Sequence, residues 1–189
     1  LKIFLDFAKT KKDNFAALGP RFLDVKQKSH KQINENLKFG KIDSIHGSCM
    51  FIDKDIFLKI GKFDENFFLY FEEFDLCKSL VDSGNDIFTS RDLKIHHLGF
   101  KSSINNDKEQ ENKMINIKDW HYMWSSFYFY KKNFGFIYAL RKYLGKLINS
   151  FFKVIFYTLI FQKSNKDKHL YRFLGLLNSI LGKPSNFRG

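Results

Sequence analysis

A chain of 189 residues, 44% hydrophobic and 18% aromatic, has ample apolar surface for a core, and wholesale disorder is excluded. Its formal charge is +12, nearly all of it late: residues 1–110 hold 18 Lys+Arg against 17 Asp+Glu, and residues 111–189 hold 14 against 3. Two cysteines, Cys49 and Cys77, at no metal-ligand spacing, point to a reduced, cytoplasmic setting.

Residues 1–8 read as the tail of a helix or strand, and the start at Leu1 predicts a fragment of a longer protein. A polar, Lys-rich turn runs to Asn14. Residues 15–25 are broken at Gly19-Pro20 and predict a turn followed by a strand. Residues 26–41 are polar, an exposed loop able to fold over a substrate. Residues 42–52 predict a strand bent at Gly47. Asp53 or Asp55 can cap a short helix at 56–60 that Gly61 ends, and Asp64-Glu65 opens a loop. Phe71, Phe74, Leu76, Cys77, Leu80 and Val81 make a helical stripe over residues 71–83, which Gly84 stops. Residues 87–97 predict another strand, and 101–113 a polar linker.

From Ile117 onward the spacing predicts long aromatic-rich helices at 119–132, 134–162 and 168–181. The second is interrupted by Arg141, Lys142, Lys146 and Lys153, and its longest uncharged run is the nine residues 154–162. A membrane span needs roughly 20 predominantly apolar residues, so an interfacial amphipathic helix is expected. The plain alternative is a helix buried against the rest of the chain. Such a charge imbalance describes a partner surface rather than a fold. Lys outnumbers Arg 27 to 5, and Arg is the usual choice for phosphate or base recognition, which favours an anionic lipid surface. An AT-rich genome explains that ratio equally well, but not the scarcity of acids after Glu111.

The densest chemistry lies in residues 61–77, GKFDENFFLYFEEFDLC, where six aromatics crowd Glu72, Glu73 and Asp75. Acids among large rings are costly to desolvate unless paired, bound to a cation or used. Gly47-Ser48-Cys49-Met50-Phe51 precedes this segment, and His97-Leu98-Gly99-Phe100-Lys101-Ser102 follows it. Over residues 17–103 this succession resembles the acceptor-side half of bacterial family 2 glycosyltransferases, the rhamnosyltransferase-like branch especially. The resemblance departs from the family pattern at Glu73, where Asp is common, and at Phe100, where a second Gly is common.

The resemblance implies an α/β fold: the C-terminal part of a GT-A-like, nucleotide-diphospho-sugar transferase domain at residues 1–110. A basic, aromatic-rich, amphipathic helical extension would follow at 111–189. It implies inverting transfer of a sugar from a nucleotide-sugar donor to a glycan or lipid-linked acceptor, in cell-surface polysaccharide synthesis. The enzyme would sit peripherally on the cytoplasmic face of the inner membrane. Glu73 would be the general base, with Glu72 and Asp75 as alternatives sharing one helix face. Acids at a helix N-terminus also simply complement its dipole. Gly47 and Ser48 would line the donor sugar, while Asp64 and Glu65 would lie near the acceptor or organise the loop. His97 would help bind a divalent metal, Mg or Mn, that is expected only with a donor-binding half upstream of Leu1. His96 would face the other way along the strand. Without that half, residues 1–189 would be inactive. Asp53-Lys54-Asp55 spells the metal-binding Asp-x-Asp but stands in the wrong place, and helix capping is its better reading.

Two other classes compete. One is a non-catalytic membrane- or partner-binding helical module carrying an α/β remnant. The other is a nucleic-acid binder stacking bases on Trp120, Trp124, Tyr128 and Tyr130. Against it, no nucleic-acid motif is present and these aromatics recur at helical core spacing.

Overall fold

The computed structural model of the chain describes residues 2–10, 15–22, 38–96 and 108–189. The fold is α/β, with a small mixed sheet and several helices. In chain order the elements are α1 (Lys2–Thr10), β1 (Phe15–Phe22), β2 (Phe39–Ile42), β3 (Phe51–Ile52), α2 (Lys54–Lys59), α3 (Glu72–Asp82) and β4 (Asp86–Ile95). Three long helices follow: α4 (Lys108–Phe134), α5 (Phe136–Leu159) and α6 (Lys163–Ile180). They divide into two compact units, Leu1–Asp64 with Glu72–Gly99, and Glu65–Phe71 with Phe100–Gly189.

In the first unit the strand order is β2-β4-β1-β3. The central pair β1 and β4 is parallel, with Leu18 opposite Phe88, and the two flanking strands are antiparallel. A central parallel strand is covered on both faces and reads as one apolar run. Accordingly Ala16, Ala17 and Leu18 are fully buried. On one face Ala16, Ile42, Ile45 and Ile87 pack with Leu76, Cys77 and Leu80 of α3. On the other, Phe15, Leu18 and Phe88 pack with Phe4, Phe7 and Ala8, the i, i+3, i+4 stripe of α1.

Strand β1 runs straight through the Gly19-Pro20 pair that predicts a turn. A side chain on Gly19 would collide with Ile45, whose Cγ2 lies 2.6 Å from the position a Cβ would take. The register of β1 against β4 shifts between Pro20 and Arg21, and a bulge is where a central strand tolerates proline. The strand predicted at 42–52 is instead two short ones, β2 and β3, separated by the 43–50 loop. Ser48 supplies the reason: its N–H donates to His46 Nδ1 at 3.2 Å and its Oγ lies 2.9 Å from the same nitrogen. A local side-chain turn of that kind competes with ladder pairing. Asp53 caps α2, accepting from the N–H groups of Asp55 and Ile56 at 3.0 Å each, which matches the capping reading of Asp-x-Asp.

In the second unit α4 begins at Lys108, so the predicted linker is already helical at 108–113, while 101–107 lie outside the described residues. Glu109 and Glu111 in its first turn complement the helix dipole. Met123, Phe127, Ala139, Tyr143 and Leu176 form a core shared by α4, α5 and α6. Gly175 lets α6 approach α4, since a Cβ there would strike the Trp120 carbonyl. Trp120 and Trp124 are buried within this unit and offer no open face for base stacking. Among the described residues, no helix is long and apolar enough to cross a membrane.

Candidate functional site

The first turn of α3 and the 46–48 loop meet at Glu73. A Cβ placed on Gly47 would sit 3.4, 3.7 and 3.8 Å from Glu73 Cβ, Cγ and Cδ. Having no side chain, Gly47 leaves the space over the carboxyl group open. Burial pushes the Glu73 pKa up to about 7; its own backbone N–H opposes the shift and the charge of Glu72 adds to it. Glu72 Oε2 is closed to solvent and has no hydrogen-bond partner among the described residues. A carboxyl group poised near neutrality beside a second, unsatisfied one is an arrangement suited to taking a proton from a bound hydroxyl.

Asp75 is also on α3 and is buried, at 3% exposure, whereas Leu76, Cys77 and Leu80 are the α3 residues that pack on the sheet. Cys77 accepts from the Ile45 N–H at 3.5 Å, and burial pushes its thiol up to about 12, which leaves it an inert core residue. Asp64 is half-buried and Glu65 exposed. His96 is exposed at the end of β4, and His97 lies outside the described residues. Among the described residues no three His, Cys, Asp or Glu side chains gather to hold a metal ion. Sequence reasoning missed His46, which fixes Ser48 beside Gly47; the signal available was a histidine opening a Gly-Ser turn.

Strain is concentrated just ahead of Glu72. Tyr70 and Phe71 are consecutive non-glycine residues in the left-handed region, at φ +67° and +72°. Each costs on the order of 1–3 kcal/mol and persists only where its surroundings over-determine it. Within the second unit the surroundings do so. Ser125 Oγ donates to the Leu69 carbonyl at 2.7 Å, Phe71 packs on Tyr122 and Phe129, and Phe67 meets Tyr128 edge-on at 5.0 Å. The C-terminal tail adds a clasp. Ser185 Oγ donates to the Asn66 carbonyl, the Arg188 guanidinium lies 3.6 Å from the Phe68 ring centre, and His121 bonds the Phe187 carbonyl at 2.8 Å. The segment 65–71, which carries most of the motif's aromatics, is thus tied at several points to α4 and to the C-terminal tail.

A stretch of 42 residues is 48% identical to a low-salt glycan biosynthesis hexosyltransferase from Haloferax volcanii. The match covers 22% of this chain and 13% of that protein's length. No protein-family model and no solved structure matches the chain.

Proposed function

We propose that the chain is part of an inverting glycosyltransferase that moves a sugar from a nucleotide-sugar donor to a glycan or lipid-linked acceptor, with Glu73 as general base. The observation that carries this reading is the Glu73 carboxyl group itself, raised to about 7 and facing the open Gly47-Ser48 loop. The local likeness to a glycan-synthesis hexosyltransferase supports the same reaction class. In this reading the acceptor hydroxyl gives its proton to Glu73 as its oxygen attacks the anomeric carbon. The bond from that carbon to the diphosphate oxygen breaks on the opposite face, which inverts the centre. Glu72, the neighbouring carboxylate, raises the proton affinity of Glu73 by its charge, and Gly47 and Ser48 border the donor sugar. The divalent metal implied by the resemblance belongs here to ligands outside the described residues.

The branch-level assignment, family 2 and rhamnosyltransferase-like, rests on the FDENFFLYFEEFDLC spacing. The same spacing motivates Asp64 and Glu65 as acceptor-side residues, and the His97-Leu98-Gly99-Phe100-Lys101-Ser102 pattern motivates His97 as a metal ligand. The anionic face of a cytoplasmic membrane is the proposed location, supported by the outward apolar stripe and cations of α5. The experiment is transfer from a panel of nucleotide sugars to glycan and lipid-linked acceptors. Glu73→Gln is expected to lose on the order of 10²–10⁴ in turnover. Full turnover in that variant would overturn the assignment, and a comparable loss in Asp75→Asn alone would move the role to Asp75.

A further inference from the structure

We infer that a cleft in the helical unit, lined by Tyr70, Ile115, Lys118, Asp119, Tyr122 and Arg172, is a subsite for one pyranose ring of the acceptor glycan. This assignment rests on the glycosyl-transfer reading and deepens it. The cleft holds about 270 Å³, below the roughly 300 Å³ at which pockets for drug-sized ligands begin, and it suits a single ring.

Its walls follow from helix periodicity. Ile115, Lys118, Asp119 and Tyr122 stand at i, i+3, i+4 and i+7 and so share one face of α4. From α6, Arg172 Nε donates to Asp119 Oδ1 at 2.7 Å. That bond spends one oxygen and one nitrogen. Asp119 Oδ2 and the two Arg172 Nη atoms have no hydrogen-bond partner among the described residues. The Asp119 side chain is 12% exposed and that of Arg172 35% exposed. Beside this fork, Tyr122 is 45% exposed as a residue, and its ring meets Tyr70 edge-on at 5.7 Å.

Three ligand chemistries can be compared on these groups. An inorganic anion would meet the Asp119 carboxylate 2.7 Å from the guanidinium that attracts it. An apolar ligand would cover the Nη and Oδ2 atoms and leave them unpaired. A neutral pyranose satisfies both halves. Adjacent ring hydroxyls donate to Oδ2 and accept from the Nη atoms, while the C–H face of the ring packs on Tyr122. Tyr70, which lines the cleft, stands in the left-handed region at φ +67°. Backbone strain of that kind is characteristic of ligand clamps.

The test is an amide-detected NMR titration of the protein with the methyl pyranosides of glucose, galactose and mannose, and with sodium phosphate as a separate arm. At least one glycoside should bind in the millimolar range and shift Ile115, Lys118, Tyr122 and Arg172, while phosphate leaves them unmoved. Tyr122→Ala and Arg172→Gln should each weaken binding about tenfold, a loss of about 1.4 kcal/mol, with unchanged far-ultraviolet circular dichroism. Arg172→Lys, which keeps charge but not the fork, should not restore it. Glu73→Gln should bind the glycoside as the wild type does. Shifts centred elsewhere, or no glycoside response in the wild type, would overturn the cleft whatever becomes of the variants. Glycoside binding with no detectable transfer would remove the transfer reading and leave the cleft as a glycan site. Transfer whose acceptor KM ignores Tyr122→Ala would do the reverse.

Discussion

At the scale of single residues, Glu73 makes activity and stability pull in opposite directions. A general base works only when deprotonated, so kcat/KM should rise tenfold per pH unit below about 7 and level off above it. A flat profile between pH 5 and 8 would remove Glu73 as the base. Stability has the opposite sign. The folded chain binds this proton more tightly than the unfolded one, whose carboxyl titrates at 4.5. The group therefore costs nothing below about 4.5, costs progressively more up to about 7, and carries its full penalty above. Glu73→Gln should then leave stability unchanged at pH 4.5 and raise it by on the order of 2 kcal/mol at pH 8. Urea melts of the two proteins at both pH values check this. A variant that gains equally at both would mean its benefit is packing rather than charge. Gly47→Ala should weaken transfer without unfolding the chain, because its methyl group would lie against the Glu73 carboxyl with ordinary contact distances.

At the scale of elements, α5 is the one whose surroundings least explain its sequence. Ala139, Tyr143 and Ser150 turn inward, whereas Ile137, Leu144, Ile148, Phe151, Ile155 and Leu159 recur at helical spacing on the exposed side. Phe152 is 63% and Leu159 71% exposed. The helix contains no acid, and Lys142 and Lys146 lie over the rings of Tyr130 and Tyr143 beside the stripe. An apolar stripe bordered by cations suits an anionic bilayer interface, where each Lys or Arg adds about 1 kcal/mol. Binding to phosphatidylserine-containing vesicles should weaken as salt rises without vanishing, because only the charge component is screened. It should fall further when Phe151, Phe152, Phe156 and Leu159 are made polar. A protein that ignores such vesicles at low salt would assign the stripe to a protein partner.

The same scale shows what was legible in the sequence. Helix α3 and its stop at Gly84 follow from periodicity and one glycine at φ +81°, because local terms decided them. The stripe was only partly right: Leu76, Cys77 and Leu80 join the sheet core, whereas Phe74 and Val81 are exposed and Asp75 is buried. Strand β1 overrode a Gly-Pro turn signal because Ile45 and the bulge made both residues fit. Neither is visible before the chain is folded. The pairing of Gly47 with Glu73 and of Asp119 with Arg172 spans 26 and 53 residues, and no local pattern announces either.

At the scale of the molecule, the division into units cuts through the motif rather than around it. Residues 65–71 belong with the helices, and Glu72 begins an element that packs on the sheet. The loop that precedes the proposed base is therefore stabilised by Ser125, Tyr128, Phe129 and the 185–188 tail, whereas α3, which carries Glu73, packs on the sheet core through Leu76, Cys77 and Leu80. A disturbance confined to the helices should loosen the loop first. Gly175→Ala supplies one, because its methyl group would meet the backbone carbonyl of Trp120 and force α4 and α6 apart. Overpacking of this kind costs typically about 1–3 kcal/mol, and more when backbone must move. Hydrogen exchange followed by mass spectrometry should show faster exchange in α4, α6 and residues 65–71, with β1 and β4 as protected as in the wild type. Transfer in that variant should fall although Glu73 and its neighbours are untouched. If 65–71 keeps the protection of β1 and β4 instead, the loop is held by the sheet, and the helical unit has no part in setting up the base.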